Sequence, residues 1–177
     1  MAKNSVKQIE QDEKRILEEL KKNANKSIND IAETCHFSRQ KVWRVIKNLE
    51  KNHTIWGYAA VVDEEKENKK SYIMLMKRTN KPITQEIITH IENRDLVNIV
   101  KKMGVEFTNS IFTHGSFDWV ICFTANDIRD AKSVVEIYNK LYEGFVSEIQ
   151  LLEKMFCAVS CGITNPDIKK FGDILNI

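Results

Sequence analysis

The sequence has 177 residues, of which 42% are hydrophobic and 29% charged, and it contains only two prolines. This composition is typical of an ordinary soluble globular protein with one large or two small domains. The net charge of +2 is too small to indicate nucleic-acid binding by itself. Its distribution says more, because residues 1–60 carry 12 basic and 8 acidic side chains, whereas residues 61–177 carry 15 and 17. We call the basic N-terminal part of the chain, about residues 1–60, the head. A basic head followed by a slightly acidic remainder fits DNA contact in the first part and assembly or ligand sensing in the second.

The N-terminus and the cysteines indicate the compartment. The first residues lack the apolar core of a signal peptide, and no apolar run approaches the ~18 residues of a membrane span. Cys35, Cys122, Cys157 and Cys161 show no C-x-x-C spacing, which favours free thiols in a reducing cytoplasm. Cys157 and Cys161 fall four apart in a predicted strand, where we expect buried small hydrophobes rather than metal ligands. We therefore predict a cytoplasmic protein with no metal and no cofactor.

Three helices are predicted in the head. The first spans residues 8–23, and its apolar face is formed by Ile9, Ile16, Leu17 and Leu20. Residues 27–52 follow as two short helices joined by a turn of about three residues. Ser27 and Asp30 form a capping-box-like start for the second helix, and Ser38 is the N-cap candidate of the third. The stretch therefore has the spacing of a helix-turn-helix.

The third predicted helix has an apolar side and a basic side. Val42, Val45, Ile46 and Leu49 repeat at helical spacing, while the opposite side is rich in Arg and Lys. A recognition helix needs apolar anchors inward and long donors that reach base edges and phosphates. An ordinary solvated basic face is the alternative, but the caps, the turn length and the one-sided charge together favour DNA binding. The candidate DNA-contact residues are Ser38, Arg39, Gln40, Lys41, Trp43, Arg44, Lys47 and Lys51.

These candidates are assigned different roles. Arg44, at the middle of the outward side, is the best candidate for a base or phosphate contact. Gln40 can pair with adenine, and Arg39 with guanine or a phosphate. We expect the three lysines to hold phosphates, and Ser38 to offer its amide to a phosphate as well as cap the helix. Trp43 either contacts a sugar or thymine methyl or packs against the head, and packing is the favoured interpretation.

A β-type run and a charged stretch separate the head from the rest of the chain. Residues 54–62 are rich in β-branched and aromatic residues and predict a strand, either a wing or a strap to the next domain. Residues 63–70 are almost wholly charged and predict a short solvated linker. The expected domains are residues 1–62 for DNA binding, 71–162 for dimerisation and effector binding, and 163–177 as a tail.

The second domain is predicted as strand, helix, strand, strand, helix, strand. The strands are expected at residues 71–79, 105–114, 118–125 and 146–160, and the helices at 83–103, with a break near 93–94, and at 127–141. This order is the α+β ferredoxin-like fold, in which both helices cover one face of an antiparallel sheet. A second copy of the chain is the simplest cover for the other face, so we predict a dimer. In the tail, Pro166 is expected to open a short helix with Ile168, Phe171 and Ile174 inward.

The chain resembles the Lrp/AsnC, or feast/famine, transcription regulators over roughly residues 9–162. In the head the resemblance is carried by the first helix, from Asp12 to Leu20, and by the following residues: Ile31, Ala32, Glu33, Phe37, Ser38, Val42, Arg44, Ile46, Leu49, Glu50, Ile55, Gly57 and Tyr58. In the second domain the family's Thr-Gly-x-Tyr-Asp loop corresponds to His114, Gly115, Ser116, Phe117 and Asp118. Two departures stand out: Val45 replaces a common arginine, and His53 replaces a usual glycine at a position where we expect a positive φ.

The resemblance implies an N-terminal winged helix-turn-helix domain followed by a C-terminal ferredoxin-like βαββαβ domain. It implies a regulator that binds near-palindromic operator DNA as a dimer or octamer and senses an amino acid or related metabolite. By carry-over, the effector-site candidates are His114, Gly115, Ser116, Phe117, Asp118 and Trp119. A purely structural role stays open, in which Gly115 serves only a tight turn and Asp118 only its cap.

Two other classes of function stay open. There is no G-x-S-x-G, P-loop or H-E-x-x-H motif to indicate an enzyme. Sirohaem decarboxylases, however, resemble Lrp proteins with a tetrapyrrole pocket, although their Arg-Arg-Ile-Gly run is replaced here by Ile55, Trp56, Gly57 and Tyr58. The third class is a ligand-sensing interaction module whose head does not bind DNA, an alternative that Val45 and His53 leave open.

Overall fold

The structure is a computed structural model that describes the backbone of residues 2–175 and the side chains of residues 6–174. The chain divides into two compact units, Met1–Val61 and Val62–Ile177. Within the described residues, no helix is long and apolar enough to cross a membrane.

The first unit contains three helices, α1 (Ala2–Lys22), α2 (Ile28–Cys35) and α3 (Arg39–Lys51). They enclose one apolar core, formed by Ile16, Leu20, Ile31, Ala32, Cys35, Val42, Val45 and Leu49. The apolar face predicted for α1 is wrong at one residue, Ile9. Ile9 is 55% exposed, because the buried positions of α1 begin only at Asp12. The remaining apolar side chains hold α2 and α3 in a fixed arrangement on α1.

Glu19 fastens the end of α1 to the start of α2. Its carboxylate accepts hydrogen bonds from Lys22 at 2.6 Å and from Lys26 at 2.5 Å. These two ammonium groups lower the pKa of Glu19 from 4.5 to about 2. Because the folded-state pKa is depressed, the pair stabilises the head above the unfolded pKa, and this contribution is lost as the pH falls towards 2.

We therefore expect Glu19→Gln to lower the free energy of unfolding at pH 7, and the difference from the unsubstituted protein to narrow at pH 3. Urea unfolding followed by far-UV circular dichroism at both pH values measures this. Glu18→Gln is the matched control, since Glu18 is exposed and makes no ion pair within the described residues. An equal loss of stability at both pH values would contradict the charge-based explanation.

The strand expected at residues 54–62 is not formed. These residues have no strand pairing in the described chain, and Trp56 is 94% exposed. Their β-rich composition is compatible with a strand, but a strand needs a neighbouring backbone for its hydrogen bonds, and the described part of the chain does not supply one. His53 has φ 60°, as expected for a position where glycine is usual.

The charged stretch at residues 63–70 is more ordered than a solvated linker. Glu64–Glu67 form a 3₁₀ helix, and the side chain of Asp63 accepts a hydrogen bond from the Glu65 amide. The Glu64 carboxylate accepts a hydrogen bond from the Lys154 ammonium at 2.9 Å. Lys69 donates to the carbonyl of Gly104 at 2.7 Å. These contacts attach residues 63–70 to the second unit. The charged composition of the stretch alone could not predict this attachment.

The second unit has the predicted α+β ferredoxin-like order. Its elements are β1 (Lys70–Arg78), α4 (Gln85–Glu92), α5 (Asp95–Lys101), β2 (Glu106–Phe112), β3 (Trp119–Ala125), α6 (Ile128–Leu141) and β4 (Val146–Glu153). The four strands form an antiparallel sheet in the order β2-β3-β1-β4. The expected helix break is present at Arg94, which has φ 58°.

The two faces of the sheet differ in burial. On β1, Tyr72, Met74 and Met76 are buried against the helices, while Ile73 and Leu75 alternate with them on the opposite face and are half-buried. The register places Ile73 beside Cys122 and Leu152, and Leu75 beside Val120. We call this second, largely apolar face, with Ile73, Leu75, Ile111, Val120, Cys122 and Leu152, the open face. None of these six residues belongs to the core that the sheet forms with its helices.

The end of the chain departs from the prediction. β4 ends at Glu153 instead of continuing to residue 160, and Val159–Ser160 pairs with Ile163–Thr164 as a two-stranded hairpin, β5 and β6. Cys161 lies in the hairpin turn with φ 49° and is exposed, so the two cysteines do not share a buried strand face.

The last helical segment also differs. Ile168–Lys170 is a 3₁₀ helix followed by α7 (Phe171–Leu175). Ile168 and Phe171 are exposed and not directed inward as expected, whereas Ile174 is half-buried. Phe171 contacts Phe156, with ring centroids 5.5 Å apart. The tail thus packs locally and contributes no residue to the main core of the second unit.

Candidate nucleic-acid interface and ligand site

Local hydrogen bonds fix the helix-turn-helix. The Ser27 hydroxyl accepts from the Asp30 amide at 3.1 Å, and the Asp30 carboxylate accepts from the Ser27 amide at 3.2 Å, which completes the predicted capping box. α2 ends at His36 in the left-handed region, with φ 56°. The Ser38 hydroxyl then accepts from the Lys41 amide at 3.3 Å and begins α3. The direction of α3 is therefore set by the same capping residues that the sequence pattern predicts.

Removing the cap of α3 should weaken the head. We expect Ser38→Ala to lower the free energy of unfolding by about 0.5–2 kcal/mol, because the first turn of α3 loses a hydrogen-bond acceptor. Ser38→Gly should cost only a few tenths of a kcal/mol, because glycine lets water reach the free amides. Urea unfolding of the full chain measures both. Ser116→Ala, in an exposed loop, is the control, and an equally large effect in that variant would contradict the capping role.

α3 turns its apolar side to the core and its other side to solvent. Val42, Val45 and Leu49 are buried. Arg39, Gln40, Trp43 and Arg44 are exposed and, with Ile28, Ser38 and Lys41, line one surface groove. Arg39 and Arg44 make no ion pair with any residue that the structure describes. Their guanidinium groups are thus free to bind an anion. Val45, where the family commonly has an arginine, is part of the core of the head.

Two of the predicted lysine contacts have partners inside the head. Lys41 donates to Asp12 at 2.5 Å and its ammonium lies 3.8 Å from the ring centre of Phe37. The hydrogen bond from Lys41 lowers the pKa of the Asp12 carboxyl. Lys47 donates to Glu50 at 2.7 Å. Lys51 is exposed without an ion pair in the described part of the chain. Helical spacing alone could not reveal the pair with Asp12, which is 29 residues away.

Trp43, for which packing against the head is the favoured interpretation, is covered by the head only in part. Its side chain is 53% exposed and does not belong to the core of the head. The indole stands in the groove between Arg39 and Arg44. The exposed part of the indole is therefore available to a partner that enters this groove.

The loop carried over as the effector site is mostly turned to solvent. His114, Gly115 and Ser116 are exposed. The Asp118 carboxylate accepts from the Arg78 amide at 2.9 Å and lies 3.4 Å from the Arg78 Nε. The Thr113 hydroxyl donates to the Phe117 carbonyl at 2.6 Å. Asp118 therefore fastens the β2–β3 hairpin to the end of β1.

Trp119 is not part of the same surface as the exposed loop. It is buried on the helix side of the sheet, stacks on Phe112 with ring centroids 4.4 Å apart, and donates to the Ser110 hydroxyl at 2.9 Å. It lines a cavity together with Arg94 and Tyr142, to which residues 114–118 contribute nothing. Alternation along β3 could have revealed this, since Trp119 shares the parity of the buried Ile121 and Phe123. No cluster of metal-ligating side chains occurs among the described residues.

Comparison with known proteins agrees with this architecture. Residues 13–55 match a family model described as winged helix-turn-helix DNA-binding. No curated protein sequence matches the chain. The leucine response regulatory protein of Mycobacterium tuberculosis is similar in structure, with a TM-score of 0.66 and 12% identity over 85% of this chain and 94% of that one.

Two further solved structures are similar over most of their length. An AsnC family transcriptional regulator from Agrobacterium tumefaciens has a TM-score of 0.61 and 17% identity over 88% of this chain and 96% of that one. A transcriptional regulator from Neisseria meningitidis, solved in complex with L-Met, has a TM-score of 0.58 and 18% identity over 82% and 88%.

The chain thus combines a head of the winged helix-turn-helix DNA-binding class with a ferredoxin-like second unit. Over both units it has the fold of the Lrp/AsnC transcription regulators. The resemblance predicted from the sequence is therefore confirmed at the level of the fold.

Proposed function

We propose that the protein is a sequence-specific DNA-binding transcription regulator, with a regulatory rather than a catalytic role in the cytoplasm. The observation that carries the proposal is the outward side of α3, where two arginines without ion pairs in the described chain flank an exposed tryptophan, in a segment matched by a DNA-binding family model. A helix with this surface fits the major groove, which is about 12 Å wide.

The proposed contacts differ in what they recognise. Arg44 and Gln40 read base edges, and Arg39 binds guanine or a phosphate. Trp43 contacts a sugar or a thymine methyl group. Lys51 and the amide of Ser38 hold phosphates, which set the register without reading sequence. Lys47 binds a phosphate after releasing the carboxylate of Glu50. Lys41 stays bound to Asp12 and positions α3.

We further propose that the protein binds near-palindromic DNA as a dimer or a higher oligomer. Ile73, Leu75 and Val120 of the open face lie outside the core and are only partly buried. Burial of this face against a second copy removes its apolar area from water. The unpaired backbone of residues 56–62 can find strand partners in the same assembly. Two heads would then lie about one DNA turn, ~34 Å, apart.

A small metabolite is proposed as the effector of the second unit. The Neisseria meningitidis neighbour was solved with L-Met, an amino acid. In this chain the exposed residues His114, Gly115 and Ser116 are candidates for a ligand held between dimers, with Phe117, Asp118 and Trp119 supporting the loop from below.

Selection of bound fragments from random duplex DNA by the full chain tests the proposed function. We expect enrichment of a near-palindromic motif whose half-sites are ~10 base pairs apart, with binding that weakens steeply as salt rises. Binding without sequence preference would overturn the proposed sequence-specific recognition. No DNA binding even at low salt would overturn the whole proposal and leave a ligand-sensing interaction module as the alternative.

A further inference from the structure

A cavity of about 310 Å³ lies between the α4–α5 bend and the edge strand β2 of the second unit. Arg94 and Val97 line it from the bend and α5, Phe107 and Ser110 from β2, and Trp119 and Tyr142 from the interior. This volume is at the lower end of the range of small-molecule sites, about 300–1,000 Å³. No residue of the 114–118 loop lines it, so the cavity is separate from the exposed part of that loop.

Arg94 supplies an unpaired cation at the cavity. Its backbone has φ 58°, a conformation that non-glycine residues rarely adopt. Its guanidinium makes no ion pair or hydrogen bond with any residue in the described part of the chain. The neighbouring His90 is already engaged, since its Nδ1 lies 2.6 Å from a carboxylate oxygen of Asp95. Arg94 is therefore the group that can receive an anion.

The interior wall of the cavity is aromatic and carries one hydroxyl. Trp119 contacts Tyr142 edge to face, with ring centroids 5.5 Å apart. Tyr142 is only 2% exposed and lines the cavity. Burial, and secondly Asp95, raise the pKa of Tyr142 to about 12. The hydroxyl thus stays protonated near neutral pH and can donate a hydrogen bond to a ligand oxygen.

The lining also excludes one common ligand group. No aspartate or glutamate of the described chain lines the cavity. The carboxylate beside the cavity, that of Asp95, is already paired with His90. A ligand ammonium would have to compete with His90 for it and would lie close to the Arg94 guanidinium. A carboxylate has both an arginine partner and hydroxyl donors.

We propose that this cavity binds a carboxylate with an aromatic or similarly bulky apolar body and no ammonium group, an arylalkanoate being the simplest example. The carboxylate lies on Arg94, and the ring packs against Trp119 and Phe107. The site rests on the proposed role of the second unit as an effector-binding domain. It distinguishes a deaminated ligand from the amino acid of the same skeleton.

Isothermal titration of the full chain with three probes tests the proposal. The probes are 3-phenylpropionate, L-phenylalanine, which adds an ammonium group, and 3-phenylpropanamide, which lacks the charge. We expect saturable binding of 3-phenylpropionate and at least ~10-fold weaker binding of the other two. No saturable heat up to about 10 mM, or equal binding of L-phenylalanine, would overturn the proposal.

Two variants localise the site. Arg94→Gln should weaken 3-phenylpropionate binding about 10- to 100-fold, whereas Arg129→Gln, at an exposed arginine on α6, should leave it unchanged. Val97→Phe should abolish binding by filling the cavity, and its melting curve shows whether the unit is folded. Unchanged affinity in Arg94→Gln would place the ligand elsewhere and overturn the assignment.

The ligand titration contains no DNA, so its outcome is read separately from fragment selection with the same preparation. Intact operator selection without ligand binding overturns the cavity assignment alone. Ligand binding without operator selection overturns the proposed DNA recognition alone.

Discussion

Replacing Arg44 with alanine is expected to weaken specific DNA binding by about 1–3 kcal/mol, or roughly 5- to 150-fold, if the guanidinium reads a base edge. Arg44 lies at the middle of the exposed side of α3 and has no ion-pair partner among the described residues. The substitution therefore leaves the head intact and removes only the interaction with DNA. Fluorescence anisotropy with the selected operator and with a scrambled duplex, at fixed salt, measures the change.

The salt dependence of the same titration separates base recognition from phosphate binding. If Arg44 reads a base, Arg44→Ala lowers affinity for the operator more than for the scrambled duplex and leaves the log–log salt slope unchanged. If Arg44 binds a phosphate, the substitution weakens binding to both duplexes and reduces the slope by about 0.9. Arg129→Ala, at an exposed arginine of the second unit, is the matched control. Equal affinity of Arg44→Ala for the operator would remove Arg44 from the interface.

Lys41→Met is expected to lower the stability of the head, which urea unfolding measures, whereas Arg44→Ala is expected to lower DNA affinity. The structure places the Lys41 ammonium on Asp12 and over the ring of Phe37, so this substitution should act on the packing of α3 against α1. Together the two variants distinguish residues that touch DNA from residues that hold the helix that touches it.

Features fixed by short-range interactions could be predicted from the sequence. The capping box at Ser27 and the cap at Ser38 depend on residues three apart, and both are present. The break before α5 was also predicted, although its positive φ at Arg94 was not. In each case the information lies within one helical turn of the residue concerned.

Features that depend on distant parts of the chain could not be predicted in the same way. Residues 54–62 have strand-like composition, but no backbone in the described chain pairs with them. The pairing of Lys41 with Asp12 joins two helices. The cavity beside Arg94 likewise needs the α4–α5 bend and β2 to meet, and neither carries a motif. The burial of Trp119 on the helix side of the sheet is different, because alternation along β3 could have revealed it.

Outside the head, the largest expected effect is that of a substitution on the open face. Leu75 is half-buried at the middle of β1, between Val120 on β3 and Gln150 on β4. If a second copy covers this face, Leu75→Glu places a carboxylate from each copy in the interface without an opposite charge. Removing two charges from water costs several kcal/mol. We therefore expect the dimer dissociation constant to rise at least ~100-fold.

Sedimentation velocity over a concentration series measures this, with Ile99→Glu as the control at an exposed apolar residue of α5 on the helix side of the sheet. The monomeric variant should keep its fold, because a glutamate at half-buried Leu75 reaches solvent in the single chain. Its operator affinity should fall by about 10²–10⁴-fold, since two heads no longer bind as one unit. A monomeric unsubstituted protein, or a Leu75→Glu dimer with an unchanged dissociation constant, would show that the open face is not the dimer interface. The two half-sites of any selected operator would then require a different contact between the two copies.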